Sequence, residues 1–296
     1  MGFITIPSIP GHIYFYFFLN GLANSTCYFL LAAGLSLVFG LLGVFNFAQG
    51  SFFMIGAYFT YQLVHWTQNF WLCLFVSPFV VVIVGILVER CLIRYTYKIN
   101  INFQLLLTFG LILVIEDAIR MIWGVQWRTV EEADILKGII PIFGGGYPIY
   151  NIFHTVMGIS VFIALWLFLN RTKYGKIIVA ASSDKELASS LGINVPRLYV
   201  FVFALGAWLA GLMGVLHGPL ININLDMGHE YIMDAFAVVV LGGLGSLTGA
   251  FVGSLIIGQI RAFGILYVPY FERIFMYVLM MVILIWRPRG LFGEKK

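Results

Sequence analysis

RTKYGKIIVAASSDKELASSLGINVPR, residues Arg171–Arg197, is a polar island in a chain that otherwise reads as lipid-soluble. Ser183-Asp184-Lys185-Glu186 spells the S-x-x-E capping box. In that motif the Ser183 hydroxyl accepts from the Glu186 amide and the Glu186 carboxylate reaches back to the Ser183 amide. Gly192 follows as a helix stop, because glycine enters the left-handed region without a Cβ penalty. The pattern predicts a helix of about two turns from Asp184 to Leu191, held outside the membrane between two spans. Leu187 and Leu191 are four apart and share one face. A short capped helix with a small apolar face suits docking to a partner. A structured loop packed on its own protein fits the same pattern, and at this point both readings stand.

Outward from the island, the chain is depleted of charge. Its 296 residues are 61% hydrophobic and 10% charged, and no Asp, Glu, Lys or Arg precedes Glu89. Soluble domains carry roughly 25% charged residues. A charge at mid-bilayer costs at least about 2.5 kcal/mol, so the depletion marks a polytopic membrane protein. The N-terminal MGFITIPSIPGHIY lacks the basic region of a cleavable signal. Apolar runs of spanning length fall near 13–40, 50–66, 70–89, 103–123, 151–170, 198–217, 249–266 and 270–286, with a shorter one at 233–245. The expected fold is all-α, with about 8–9 transmembrane helices in a single domain over 1–296 and residues 171–197 as a loop within it.

Twelve of the 17 basic residues fall in three clusters: Arg90, Arg94 and Lys98; Arg171, Lys173, Lys176, Lys185 and Arg197; and Arg287, Arg289, Lys295 and Lys296. The positive-inside rule places these in the cytoplasm. Glu131, Glu132, Asp134, Asp226, Glu230 and Asp234 then lie toward the outer side, and the N-terminus is outside. The five histidines fall near the outer face, as interfacial rings or as a pH sensor. Cys27, Cys73 and Cys91 have neither metal nor disulfide spacing and read as filler.

Two glycine-rich breaks interrupt the apolar runs. The first runs from Gly40 through Gly43, Asn46 and Gln49 to Gly50. The second runs from Gly242 through Gly243, Gly245, Ser246 and Thr248 to Gly249. Backbone unwinds at membrane depth only where protein or a water-filled cavity satisfies it. Paired breaks in two halves therefore point to a translocation path, while close helix packing at small residues is the other reading. Asn46, Gln49, Gly50, Ser51, Gly242, Gly243, Gly245, Ser246 and Thr248 are the candidate path residues. The second break nearly spells a dinucleotide fingerprint, but it lies in a membrane run without a soluble strand before it. The chain has no nucleotide-binding loop of its own, no H-E-x-x-H, no cysteine pair and no serine nucleophile elbow. No catalytic, metal or cofactor site is expected. Glu116, Asp117, Arg120, Arg261, Glu272 and Arg273 are intramembrane charges, functional candidates by their cost, although span ends tolerate charge by snorkelling.

Five stretches, in order, carry a resemblance. They are Asn20-Gly21-Leu22 with the Gly34–Phe39 run; Asn46-Phe47-Ala48-Gln49-Gly50 with Met54-Ile55-Gly56-Ala57-Tyr58; Ala180-Ala181 to Asp184 with Ala188 and Leu191-Gly192-Ile193; Ala235-Phe236-Ala237 with Gly242-Gly243-Leu244-Gly245-Ser246; and Arg287-Pro288-Arg289-Gly290-Leu291-Phe292-Gly293. Over about 250 residues the chain resembles the LivH-type integral-membrane permeases of branched-chain amino acid ABC importers. The resemblance implies a multi-pass protein of the bacterial inner membrane and no enzyme. Its implied partners are a second homologous permease, two cytoplasmic ATP-binding subunits and a periplasmic substrate-binding protein. It implies that the segment with Ala180, Ala181, Asp184, Leu187, Ala188, Leu191 and Gly192 docks on the ATPases, and that both breaks lie near the path. One departure stands out: Gln49-Gly50-Ser51 replaces a frequent His-Gly-Glu. Relatives carrying urea or short amides share much of the pattern, so those substrates are the alternative. A channel or secondary transporter independent of ATP would instead use the Glu116/Asp117/Arg120 cluster. A membrane enzyme or redox subunit would need paired histidines on facing spans.

Overall fold

The longest apolar run folds as one 32-residue helix, α1 (Gly11–Leu42), about which the other elements pack. A computed structural model describes residues 10–97, 99–143 and 145–293, so Lys98, Lys295, Lys296 and most of the N-terminal segment read above lie outside the described residues. The helices are α1, α2 (Gln49–Thr67), α3 (Phe70–Cys91), α4 (Ile101–Trp123), α5 (Ile149–Arg171), α6 (Lys173–Ser183), α7 (Lys185–Ser190), α8 (Val195–His217), α9 (Met227–Gly242), α10 (Leu247–Tyr267) and α11 (Glu272–Trp286). A small antiparallel hairpin, β1 (Ile139–Ile142) with β2 (Gly145–Pro148), precedes α5. The fold is therefore nearly all-α, and the hairpin and α6 are additions to what the sequence suggested.

Among the described residues, five helical segments are long and apolar enough to cross a membrane: Gly11–Leu42, Phe70–Cys91, Ile149–Arg171, Val195–Leu220 and Leu247–Tyr267. The other long elements are helical where spans were expected but fall short of that mark for visible reasons. α9 has 16 residues and α11 has 15, about 24 and 22 Å at 1.5 Å per residue. α4 carries Glu116, Asp117 and Arg120.

α1 packs along α10, α8, α9 and α5, while α3 and α2 pack on α8. Close approach is built from glycine. A Cβ on Gly50 would fall on the Gly228 carbonyl, and one on Gly56 would sit 2.8 Å from Gly211 Cα. Such contacts let helices pack in lipid without a hydrophobic drive between them. Much of α3, α4 and α11 faces outward with bare apolar side chains, among them Phe79, Ile83, Leu113 and Ile285, as a lipid-facing surface does.

The bundle has two distinct ends. At one, Tyr16 near the start of α1 donates to the Ile142 carbonyl of the hairpin, and Arg128 pairs with Ile223 across an isolated bridge. At the other, Lys185 of α7 reaches the Leu42 carbonyl at the end of α1.

Candidate translocation path and docking surface

The island folds as two helices, not one. α6 runs through Ser183, whose hydroxyl donates back to the Val179 carbonyl at 3.3 Å. The capping box centred on Ser183 does not form, because Ser183 is still helical. Asp184 turns extended (φ −148°, ψ 104°), and its Oδ1 accepts from the Glu186 and Leu187 amides at 3.0 and 2.9 Å. Aspartate is as strong an N-cap as serine, so the same start signal is used one residue later. At the far end Gly192 has φ +84°. The Gly192 amide donates to Ser189 and the Ile193 amide to Ala188, the paired bonds of a Schellman stop. Leu187 and Leu191 remain 58% and 73% exposed, with Tyr174 and Val179 also bare on α6. Ala180 and Asp184 are exposed as well, whereas Ala181 and Ala188 are buried against the bundle. The docking residues thus divide into an outward apolar face and an inward seat. Lys185 ties the seat to the core: its ammonium donates to Leu42 O at 3.4 Å and lies 5.7 Å from the Tyr199 ring centroid.

Both glycine-rich breaks lie between helices, at this same end, and do not unwind a helix midway. Gly43 (φ +73°) closes α1, and the buried Asn46 sits in the turn before α2. Gln49 opens α2, and its Nε2 donates to Gly206 O of α8 at 2.6 Å. Gly34 leaves room for that amide, since a Cβ there would run into it. Both amide atoms of Asn46, Gln49 Oε1 and Ser51 Oγ are buried without a partner among the described residues. In the second break Gly243 and Gly245 take φ +108° and +84°. Ser246 caps α10 by accepting from Gly249 N at 3.0 Å, and its hydroxyl lies 3.2 Å from that of Thr248. The last carbonyls of α9 are satisfied by the C-terminal segment, as Leu291 N donates to Leu241 O and Phe292 N to Gly242 O, both at 2.9 Å. The breaks touch: a Cβ on Gly40 would lie 3.1 Å from Gly245 Cα.

Near the opposite end a cavity of about 380 Å³ opens between α1, α8, α9 and α10. Its polar lining is Asn20, Asn24, Cys27, Tyr28, His217, Tyr231 and Arg261, with Asn151 of α5 closing one side. None of the candidate path residues lines it. Cys27, read from the sequence as filler, is brought here into contact with two of the histidines. Cys27, His154 and His217 are buried together, with Cys27 Sγ 2.8 Å from His217 Nδ1 and 3.5 Å from His154 Nε2. Three different helices bring them into contact, so no local spacing announces them. The available signal was that His154 lies near the start of α5 and His217 at the end of α8, which fall at the same end of the bundle. Cys27, His154 and His217 have the ligand types of a site for a soft or borderline cation. The contacts also close as a hydrogen-bonded chain from Tyr231 OH (2.8 Å to His217 Nε2) to the Cys27 thiol. His154 Nδ1 is left unpartnered.

Beside this cluster, Arg261 lies between Asp234 (2.7 Å) and Glu272 (3.7 Å) and donates to the Tyr28 hydroxyl. Arg273 pairs with Glu230 at 3.2 Å. The Glu116/Asp117/Arg120 cluster is spent along α4, at 2.8 and 2.9 Å, on a face that is partly exposed and outside the cavity.

A bundle of long apolar helices, with an exposed capped helix at one end and a polar-lined cavity near the other, defines a multi-pass membrane protein of the permease class. Residues 17–284 match the family described as branched-chain amino acid transport system / permease component, and the chain belongs to that family. It is 28% identical to the high-affinity branched-chain amino acid transport system permease protein LivH of Escherichia coli K12, over 93% of this chain and 94% of the relative. It is likewise 28% identical to the permease protein BraD of Pseudomonas aeruginosa, over 93% and 94%. The ribose import permease protein RbsC of Bacillus subtilis is 32% identical over 40% of this chain and 39% of its own length. No solved structure matches the chain.

Proposed function

We propose that this chain is the translocating subunit of an ATP-driven importer for branched-chain or other apolar amino acids in the bacterial inner membrane. It works with a second homologous permease, two cytoplasmic ATP-binding subunits and a periplasmic substrate-binding protein. The observation that carries this reading is the capped helix α7, with Leu187 and Leu191 bare, on a family permease that has no nucleotide-binding motif of its own. A machine that consumes ATP without binding it needs a docking face for the subunits that do.

Of the eight or nine crossings expected, nine, with α9 crossing, put α6, α7 and the basic clusters in the cytoplasm and the hairpin and N-terminus outside, in line with the positive-inside rule. The path runs past Asn46, Gln49, Gly50 and Ser51 and on to Gly242, Gly243, Gly245, Ser246 and Thr248. Buried polar atoms without partners, such as those of Asn46 and Ser51, suit a route that a polar solute or water occupies in turn. Nucleotide binding shifts the gate only as far as it favours one state of the assembly over the other. Lys185 and the seat around Ala188 connect α7 to the end of α1 at the first break.

The test is leucine uptake by proteoliposomes holding this chain with its neighbouring permease and ATPases, the binding protein added and ATP supplied to the cytoplasmic face. ATP- and binding-protein-dependent uptake is expected, with urea competing weakly. Uptake indifferent to ATP would sink the importer reading, and preferred carriage of urea would replace the substrate. Should Leu191→Asp leave ATPase assembly and transport intact, the docking assignment fails.

A further inference from the structure

We propose that the cavity between α1, α8, α9 and α10 is a binding station for a small apolar zwitterion, a site separate from the glycine-rich breaks; the substrate class rests on the function proposed above. Asn20 and Asn24 are four apart on α1 and line the cavity from one face of that helix. Both are half-buried, and among the described residues neither side-chain amide takes a hydrogen bond. Two half-buried amides one turn apart, without partners among the described residues, turn their donors and acceptors to whatever fills the cavity. A ligand there satisfies them.

The charge around the cavity selects the ligand. Arg261 lines it and spends its Nη1 on Tyr28 and Asp234 and its Nε on Glu272, while among the described residues Nη2 takes no bond. One guanidinium between two carboxylates leaves that group with a surplus negative charge. A lone carboxylate is repelled by that surplus, and a lone ammonium leaves the free guanidinium edge unmatched. A zwitterion answers both: its carboxylate meets Arg261 Nη2, and its ammonium meets the amide oxygens of Asn20 and Asn24. Phe17, Leu220 and Ile265 complete the wall with apolar surface for the side chain. A volume of about 380 Å³ falls at the low end of the roughly 300–1,000 Å³ of small-molecule sites, a size for a single amino acid and not for a peptide.

The cavity also has an onward direction. From Asn24 to Gly34, where Gln49 touches α1, is ten residues, about 15 Å along the helix. Gly40, where the breaks meet, is about 9 Å further. The station therefore precedes the breaks on one continuous rod.

The experiment uses the assembled complex with its binding protein in proteoliposomes. Asn20→Leu and Asn24→Leu keep the branched shape and the number of heavy atoms and suit lipid, while removing the amide. Each is expected to cut leucine uptake at least tenfold while ATP hydrolysis stimulated by loaded binding protein stays within twofold of wild type. A second measurement needs no variant. A diazirine analogue of leucine, irradiated on the wild-type complex, should label residues of 17–28 or 261–265. Excess leucine should suppress that labelling, and 4-methylpentanoate, which keeps the carbon skeleton but lacks the ammonium, should not. Undiminished uptake by both variants overturns the station, as does labelling confined elsewhere while the wild type carries leucine. A wild-type complex that hydrolyses ATP but carries urea in place of leucine overturns the substrate reading and the zwitterion station with it.

Discussion

Truncating the two bare leucines of α7, as Leu187→Ala/Leu191→Ala, separates a docking helix from a loop that merely packs on its own chain. The free permease leaves 58% and 73% of these side chains exposed. Full burial of a leucine contributes about 2 kcal/mol, so covering those fractions contributes about 1.2 and 1.5 kcal/mol. Their sum, about 2.7 kcal/mol, corresponds to roughly a hundredfold in affinity at 1.4 kcal/mol per decade. The assay is titration of the cognate ATPase subunit onto the permease in nanodiscs, beside the thermal unfolding of the permease alone. The expected result is a Kd raised by about two decades with the unfolding midpoint unchanged. A Kd within threefold of wild type, with uptake retained, would refute the reasoning. So would a lowered midpoint for the permease alone, because that would mean the leucines already pack on their own protein.

Glycine at position 50 should be irreplaceable. Gly50→Val drives a side chain into the Gly228 carbonyl and should destabilise the chain by about 3 kcal/mol or more, read as a lower unfolding midpoint in detergent. A Cβ on Gly110 would meet nothing within 4 Å, and the residue is exposed on α4, so Gly110→Ala should raise the midpoint or leave it, by up to about 1 kcal/mol of helix propensity. Arg261→Met removes the one cation between Asp234 and Glu272, whose side chains are only 6% and 19% exposed, and should cost about 3–5 kcal/mol; adding Asp234→Ala should recover part of it, and a double variant no more stable than the single would show that Arg261 acts through something other than charge balance. Ala188→Asp places a carboxylate in the seat beneath α7, where an unpaired charge is not tolerated. Limited proteolysis should then cut within 171–197 faster than in wild type, and equal rates would contradict the seat.

The helices were legible because apolar runs of spanning length end at residues that stop helices. The run read at 13–40 is Gly11–Leu42 and ends at Gly43 in the left-handed region. The run read at 70–89 is Phe70–Cys91 and starts at Asn69, whose side chain caps the Leu72 amide. What the sequence hid depends on tertiary contact or on near-equivalent local choices. Ser183 and Asp184 are both good N-caps, and only the helical path of α6 through Ser183 decides between them. The hairpin at 139–148 is anchored by Tyr16, more than a hundred residues away. Cys27, His154 and His217 meet from three helices with no spacing in common. Asn20 and Asn24 did carry a local signal, two amides one turn apart in a stretch without charge. Its meaning needed Arg261, brought in by α10.

α1 links these features mechanically. It bears the asparagine pair of the cavity, the notch at Gly34 that holds Gln49, the contact of Gly40 with Gly245, and the Leu42 carbonyl that receives Lys185. A helix of 32 residues spans about 48 Å and carries its backbone bonds internally, so a displacement at Leu42 is transmitted along the axis with little lost to bending. Two of its contacts are made at glycine: a Cβ at Gly34 would run into the Gln49 amide, and at Gly40 the first heavy atoms met would be backbone. Close packing of this kind resists gradual deformation and favours a change between discrete arrangements. A push on α7 that moves Lys185 would therefore shift the Gly40–Gly245 contact, the Gln49 notch and the cavity near Asn24 together. In the importer proposed above, one stiff helix would thus couple the seat of α7 to the contact between the breaks and to the cavity in a single exchange between two arrangements.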